Sequence, residues 1–155
     1  MKMKELLEKF NACKEARDWV GDKTLEEAWN TCHRGDWMLW LYQRMYPNNL
    51  RELTFAKGHC ANTVRHLMKD DRSLKAIDTA ITFGEGRIDR DELDAVAVAA
   101  AAAAAYAAAY ADAAAVAAAA YAAAAYTAYT AYTAAAKKQN QQLTADICRQ
   151  YLKIV

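Results

Sequence analysis

The stretch from residue 95 to residue 136 constrains this chain more than any other. It contains 42 residues, of which 29 are alanine, and the others are six tyrosines, three threonines, three valines and Asp112. Alanine has the highest intrinsic helix propensity, and neither glycine nor proline occurs after Gly86. This alanine tract therefore predicts helix. Its side chains offer little chemistry beyond phenols, hydroxyls and one carboxylate.

The length of the alanine tract limits how it can be arranged. A single straight helix over the tract would extend roughly 65 Å. A compact chain of 155 residues has a diameter of only about 40 Å. The tyrosines also change face after Tyr121, so we predict an Ala/Tyr-rich helical hairpin with a bend between residues 112 and 122. The alternative is one long helix that pairs with a second copy of the chain.

Helix start and stop signals punctuate the rest of the chain. Three pairs have the spacing of a capping box, in which glutamate follows a polar N-cap residue by three positions: Thr24 with Glu27, Asn49 with Glu52, and Asp89 with Glu92. Asp36 follows Gly35 and is predicted to cap the next helix. The pattern predicts helices near 3–20, 24–33, 36–46, 49–69, 71–83, from 89 onward, and 143–153.

No segment alternates between apolar and polar residues as a half-buried strand does. The sequence therefore predicts an all-α fold, a multi-helix bundle of about seven or eight helices. We expect one domain over residues 1–155, with aromatic-rich helices in 1–88, Ala/Tyr-rich helices in 89–136 and a C-terminal helix in 143–153.

Charge and composition restrict the class of partner. The chain has 20 basic and 19 acidic residues, a balance without the electrostatic footprint of a nucleic-acid or membrane-surface binder. A membrane span is disfavoured because tyrosines are spread through the alanine tract and Asp112 lies within it. The first residues lack the apolar stretch of a signal peptide, so we expect a cytoplasmic protein. In that compartment the four cysteines are expected to stay reduced and mostly buried.

Two dipeptides, Cys32-His33 and His59-Cys60, contain residues that bind metals. Neighbouring residues on a helix point about 100° apart, so neither pair readily aims both groups at one ion. The spacing also matches no zinc motif. We therefore predict no metal and no other cofactor. No motif places a nucleophile or an acid–base pair, and so we predict that the protein is not an enzyme.

The aromatic residues allow two interpretations. Trp29, Trp37 and Trp40 are predicted as core anchors, with a ligand cage as the alternative. The tyrosines of the alanine tract are predicted mainly to fill gaps between helices. Three of them are out of phase with the others and are expected to be exposed: Tyr126, Tyr129 and Tyr132.

One stretch carries a family resemblance. It runs through Ala12-Cys13-Lys14-Glu15-Ala16, Trp19, Thr24-Leu25-Glu26-Glu27-Ala28-Trp29, Cys32 and Arg34-Gly35-Asp36-Trp37-Met38-Leu39-Trp40-Leu41. It resembles the small helical immunity proteins encoded in bacterial polymorphic-toxin loci. The later segments 71–77, 95–136 and 145–149 fit the order of elements in that family. The resemblance implies an all-helical cytoplasmic protein that neutralises a cognate toxin by binding it, and it transfers no catalytic residue.

Three functions follow as hypotheses. The first is a non-catalytic protein-binding module that inhibits a toxin, with Arg34, Tyr126, Tyr129 and Tyr132 as candidate contacts. The second is a structural module that self-associates through its alanine-rich helices, which would make it a homodimer. The third is a small-molecule-binding protein or enzyme with an aromatic pocket.

Overall fold

The computed structural model describes residues 2–68, 71–96 and 134–154. All regular secondary structure within these ranges is helical, which confirms the predicted all-α fold. The predicted hairpin, and the candidate contacts Tyr126, Tyr129 and Tyr132, lie outside the described residues. In chain order the helices are α1 (Met3–Lys9), α2 (Lys14–Val20), α3 (Leu25–Thr31), α4 (Gly35–Met45), α5 (Leu50–Asn62), α6 (Asp71–Gly84), α7 (through residues 90–96) and α8 (Ala134–Tyr151), with a 3-10 turn at Arg65–Leu67.

Two of the predicted capping interactions are present. The Thr24 hydroxyl accepts from the Glu27 backbone N–H at 3.2 Å, and the Glu27 carboxylate accepts from the Thr24 N–H at 2.8 Å. Asp89 accepts from the Glu92 N–H at 2.9 Å. Asn49 stands at the N-cap of α5, but its side chain makes no capping hydrogen bond. These bonds satisfy backbone groups that would otherwise be unpaired at a helix start.

The predicted helices 3–20 and 49–69 are each divided. The first breaks between α1 and α2, where Asn11 adopts a φ of 55°, a left-handed conformation that asparagine tolerates. The Ala12 N–H donates to the Leu7 carbonyl at 2.9 Å and closes this turn. The chain reverses there, so that α1 and α2 pack on each other. The second predicted helix ends as α5 at Asn62 and continues as the 3-10 turn.

The predicted cap at Asp36 is wrong. Helix α4 begins at Gly35 with Arg34 in the N-cap position, and Asp36 lies in the first turn. The Asp36 carboxylate is engaged by the Arg34 guanidinium instead, with a nitrogen–oxygen distance of 2.7 Å. An ion pair between neighbouring side chains has replaced the expected bond to the backbone.

The predicted start of the C-terminal helix at residue 143 is also wrong. Helix α8 already covers Ala134, so the polar patch 137–142 is helical and not a linker. Asn140 and Thr144 are buried within α8, whereas Leu143 is 47% exposed. The buried face of α8 therefore contains small polar side chains. Hydrophobic periodicity does not reveal a face of this kind.

Helices α4, α5 and α8 form the centre of the packing. Helix α8 packs against both α4 and α5, and α5 also packs against α6. Met38, Leu39 and Tyr42 of α4 are almost completely buried, which agrees with its apolar sequence. A second apolar cluster between the end of α5 and α6 contains Val64 and Ile77. Within the described ranges no helix is long and apolar enough to span a membrane.

Gly35 allows a close approach between α4 and α8. A Cβ atom on Gly35 would lie 2.3 Å from the Thr144 hydroxyl oxygen and 2.6 Å from the Thr144 carbonyl carbon. Both distances are far below van der Waals contact, so no larger residue fits without moving backbone. Gly35 therefore fixes how closely the start of α4 meets α8. The Cys148 thiol, one turn further along α8, donates to the Gly35 carbonyl at 3.6 Å.

Candidate functional site

The four N-terminal helices form a half-open cavity of about 310 Å³. All four tryptophans of the chain line it: Trp19, Trp29, Trp37 and Trp40. The remaining wall is mostly aliphatic and comes from all four helices and the turn between α1 and α2: Met3, Leu7, Asn11, Ala12, Cys13, Ala16, Val20, Ala28, Cys32, Asp36, Met38 and Leu41. A concave, mostly apolar cavity of this size has the character of a ligand pocket.

The tryptophans divide between the two interpretations made from the sequence. Trp29 is only 6% exposed and packs near the Tyr42 ring, as a core anchor does. Trp37 and Trp40 are half-buried, as is Trp19, and each presents part of its ring to the cavity. These three rings also pack against the main apolar core, so they combine features of a core anchor with those of a ligand cage.

A second feature adjoins the cavity and is here named the aromatic–cationic patch. It comprises Trp19, Lys23, His33, Arg34 and Trp37. The Lys23 ammonium nitrogen lies 4.6 Å from the Trp19 ring centroid, and the Arg34 guanidinium carbon lies 4.4 Å from that of Trp37. The two indoles are 6.1 Å apart, and the His33 ring meets the edge of Trp19 at 5.9 Å. Each tryptophan is therefore held between another ring and a cation.

Arg34, the candidate contact within the described residues, is strongly engaged inside the protein. Its Nε and Nη2 atoms donate to the two Asp36 oxygens at 2.9 Å and 2.7 Å. Its Nη1 atom reaches Glu15 at 3.4 Å, and the side chain is only 16% exposed. A bidentate pair stacked on Trp37 positions Arg34 rigidly. Arg34 thus organises the patch.

The buried thiols are poorly suited to nucleophilic chemistry. Burial raises the pKa of Cys32 above its ordinary value. The pKa of Cys148 is raised well above normal, first by its hydrogen bond with Cys60 and then by burial. The Cys60 thiol itself donates to the Thr144 carbonyl at 3.8 Å. Because the thiolate is the nucleophilic form, Cys32 and Cys148 are held in their unreactive state at neutral pH.

The two histidines next to cysteines belong to separate aromatic clusters. His33 lies in the aromatic–cationic patch, whereas His59 stacks on Tyr151 at 4.7 Å and meets Phe55 edge-on at 4.6 Å. Burial is the main cause of a lowered pKa at His59, which favours its neutral ring. Among the described residues no three potential ligands come together in a metal-binding arrangement.

Lys57 is a buried charged residue that the sequence interpretation missed. It is 4% exposed on α5, and its ammonium group donates to the Gln43 side-chain oxygen at 3.0 Å. Burial lowers its pKa from 10.5 to about 8. A signal was available, because Lys57 follows Leu53 by four residues and precedes Cys60 by three. It therefore occupies the apolar stripe of its own helix.

The sequence predicted this cavity only indirectly, through the alternative in which Trp29, Trp37 and Trp40 form a ligand cage. The available signal was the concentration of all four tryptophans between residues 19 and 40. Comparison with models of protein families, with curated proteins and with solved structures finds no match to this chain. The geometry of the N-terminal helices and the motif within them are therefore the basis for any functional assignment.

Proposed function

We propose that this protein is a non-catalytic binding module that neutralises a protein toxin by covering a surface the toxin needs. The observation that carries the proposal is the aromatic–cationic patch. Tryptophan and arginine are the residues most enriched where protein interfaces gain their binding energy. Here two tryptophans on α2 and α4 are gathered with a lysine, a histidine and an arginine from the loops beside these helices. The sequence motif that resembles immunity proteins includes Trp19, Arg34 and Trp37 of this patch.

The way the patch is held supports tight association. The Arg34 guanidinium is fixed by Asp36 and by the Trp37 ring, and the Lys23 ammonium donates to the Trp19 carbonyl at 3.0 Å. Side chains that are ordered before binding lose less conformational entropy when they bind. The patch can therefore contribute to affinity without a large ordering cost.

The chemistry of the buried groups supports binding over catalysis. Cys32 and Cys148 have raised pKa values, and burial favours the neutral form of His59. The two thiols are therefore held in the protonated form and lack the activated state that a nucleophile requires. Nearly balanced charge favours a protein partner over nucleic acid. The alternative, self-association through the alanine tract, is distinguished by the oligomeric state in solution.

The experiment is a titration of the purified protein with the product of the adjacent gene, followed by calorimetry. We expect saturable binding, weakened about tenfold by Lys23→Ala and by His33→Ala, because interface residues of this kind often contribute more than about 1 kcal/mol. Lys75→Ala, on the exposed face of α6, is the matched control and should leave affinity unchanged. Tyr129→Ala tests the predicted contact in the alanine tract.

Two results would revise the proposal in different ways. If the adjacent gene product does not bind, the immunity function is wrong. If it binds and the two patch variants retain full affinity, the function stands and the contact surface lies elsewhere. Loss of affinity in Tyr129→Ala alone would place that surface on the alanine tract.

A further inference from the structure

We infer that the cavity of the N-terminal helices is a binding site for a small, neutral aromatic molecule of one or two fused rings. This inference does not depend on the proposed toxin binding. Its basis is the size of the cavity, the depth of its walls and the chemistry of its lining. An engineered apolar cavity of about 150 Å³ accepts benzene. The present cavity, at about 310 Å³, is large enough for a bicyclic ring system.

The cavity is a cleft that is half open to solvent. Its deep wall contains residues that are almost fully buried, such as Val20 at 0%, Ala28 at 2% and Met38 at 2% exposure. Trp19, Trp37 and Trp40 are half-buried and form the part of the wall that reaches solvent. A concave apolar cleft with partly exposed tryptophans matches a discrete small molecule better than the flat contact surface of a folded protein.

The lining determines the class of ligand. Indole rings offer faces and edges that favour offset or edge-on contact with another aromatic ring. Asp36 is the charged residue on the wall, and its carboxylate is neutralised by the bidentate pair with Arg34. A charged ligand would lose its hydration there without gaining an unpaired counter-ion. The Asp36 oxygens still have lone pairs, so one ring N–H or O–H of a neutral ligand can be accepted.

The experiment uses indole as the probe and ¹⁵N-labelled full-length protein. Because every tryptophan of the chain lines the cavity, the four indole N–H signals in the NMR spectrum report directly on occupancy. We expect saturable shifts of these signals and a thermal midpoint that rises with indole concentration. Indole-3-carboxylate, which carries a negative charge, should bind at least about tenfold more weakly.

A cavity-filling variant locates the site. Ala16 lines the cavity and is 7% exposed, so Ala16→Leu places three additional carbons in it. We expect it to weaken indole binding at least about tenfold, since even one methylene in an apolar pocket changes binding roughly 10–200-fold. Ala95→Leu, at an exposed position on α7, is the matched control and should bind indole normally. Ala28→Leu fills the cavity from α3 if the first variant does not fold.

The inference is overturned if none of the four signals shifts up to the solubility limit of indole. It is also overturned if the filled variants bind indole as well as the control does. Equal affinity for indole-3-carboxylate would refute the neutral class of ligand. If indole does not bind but Ala16→Leu abolishes binding of the adjacent gene product, the cavity receives a side chain of the protein partner. That result would refute the small-molecule site and leave the proposed function intact.

Discussion

Replacing Lys57 with methionine should stabilise the fold at neutral pH. Lys57 is 4% exposed, and burial lowers its pKa from 10.5 to about 8. The difference between these pKa values corresponds to about 3 kcal/mol of penalty on the charged amine. Methionine keeps a flexible apolar side chain in the same space, and the exposed Gln43 side chain can bond to water in place of the ammonium group. We therefore expect the free energy of unfolding at pH 7 to rise by about 3 kcal/mol.

The same pKa shift predicts how this gain depends on pH. The folded pKa lies below the unfolded one, so between about pH 8 and pH 10.5 the unfolded chain binds more protons than the folded chain. Below about pH 8, the buried Lys57 ammonium therefore lowers the free energy of unfolding of the unsubstituted protein by its full amount. This penalty becomes smaller as the pH rises through the window. The variant lacks the group. Its advantage should fall from about 3 kcal/mol at pH 7 to roughly 1.5 kcal/mol at pH 9.5.

Urea denaturation at pH 7 and pH 9.5, followed by far-ultraviolet circular dichroism, measures both quantities. Lys75→Met, on the exposed face of α6, is the control and should change stability by less than about 0.5 kcal/mol at either pH. A variant that is less stable than the unsubstituted protein at pH 7 would refute the reasoning. An advantage that is the same at both pH values would show that a shifted amine is not its cause.

Three further substitutions test the packing by urea denaturation at pH 7. Gly35→Ala should destabilise the fold by about 1–3 kcal/mol, because its Cβ would lie 2.3 Å from the Thr144 hydroxyl oxygen, and an unchanged midpoint would contradict this close approach. Thr24→Ala should cost about 1 kcal/mol through the lost cap of α3, whereas a neutral effect would mean that water replaces the cap. Arg149→Met should cost about 2 kcal/mol, because Nη1 donates to the Cys32 carbonyl at 2.8 Å; full stability in this variant would disprove that role.

Local sequence signals were sufficient for the fold class and for much of the helix order. Caps such as Thr24 act over three residues, and the apolar face of each helix repeats along the chain, so both can be recognised without tertiary structure. The break at Asn11 could not be recognised in this way. Asparagine can adopt a left-handed backbone conformation, but whether it does so depends on the packing of the fold. The early start of α8 was missed because its buried face contains Asn140 and Thr144, which score as polar.

The candidate site was harder to foresee than the fold. The sequence singled out Arg34 as a candidate contact, but the cavity forms only where side chains of α1, α2, α3 and α4 meet. That arrangement depends on long-range packing, which no local pattern specifies. The role of Asp36 changed for a similar reason, since the Arg34 side chain competes with the backbone for its carboxylate. Sequence alone therefore singled out Arg34 and three of the tryptophans but not the contacts that they make.

The most direct test of the central claim is growth of bacteria that express the adjacent gene product with and without this protein. The account predicts that the gene product alone arrests growth and that co-expression restores it. Restoration should be weaker with Lys23→Ala or His33→Ala at equal protein levels, and unaffected by the control Lys75→Ala. Growth arrest of equal severity in the presence of the unsubstituted protein would contradict the claim that it neutralises a toxin.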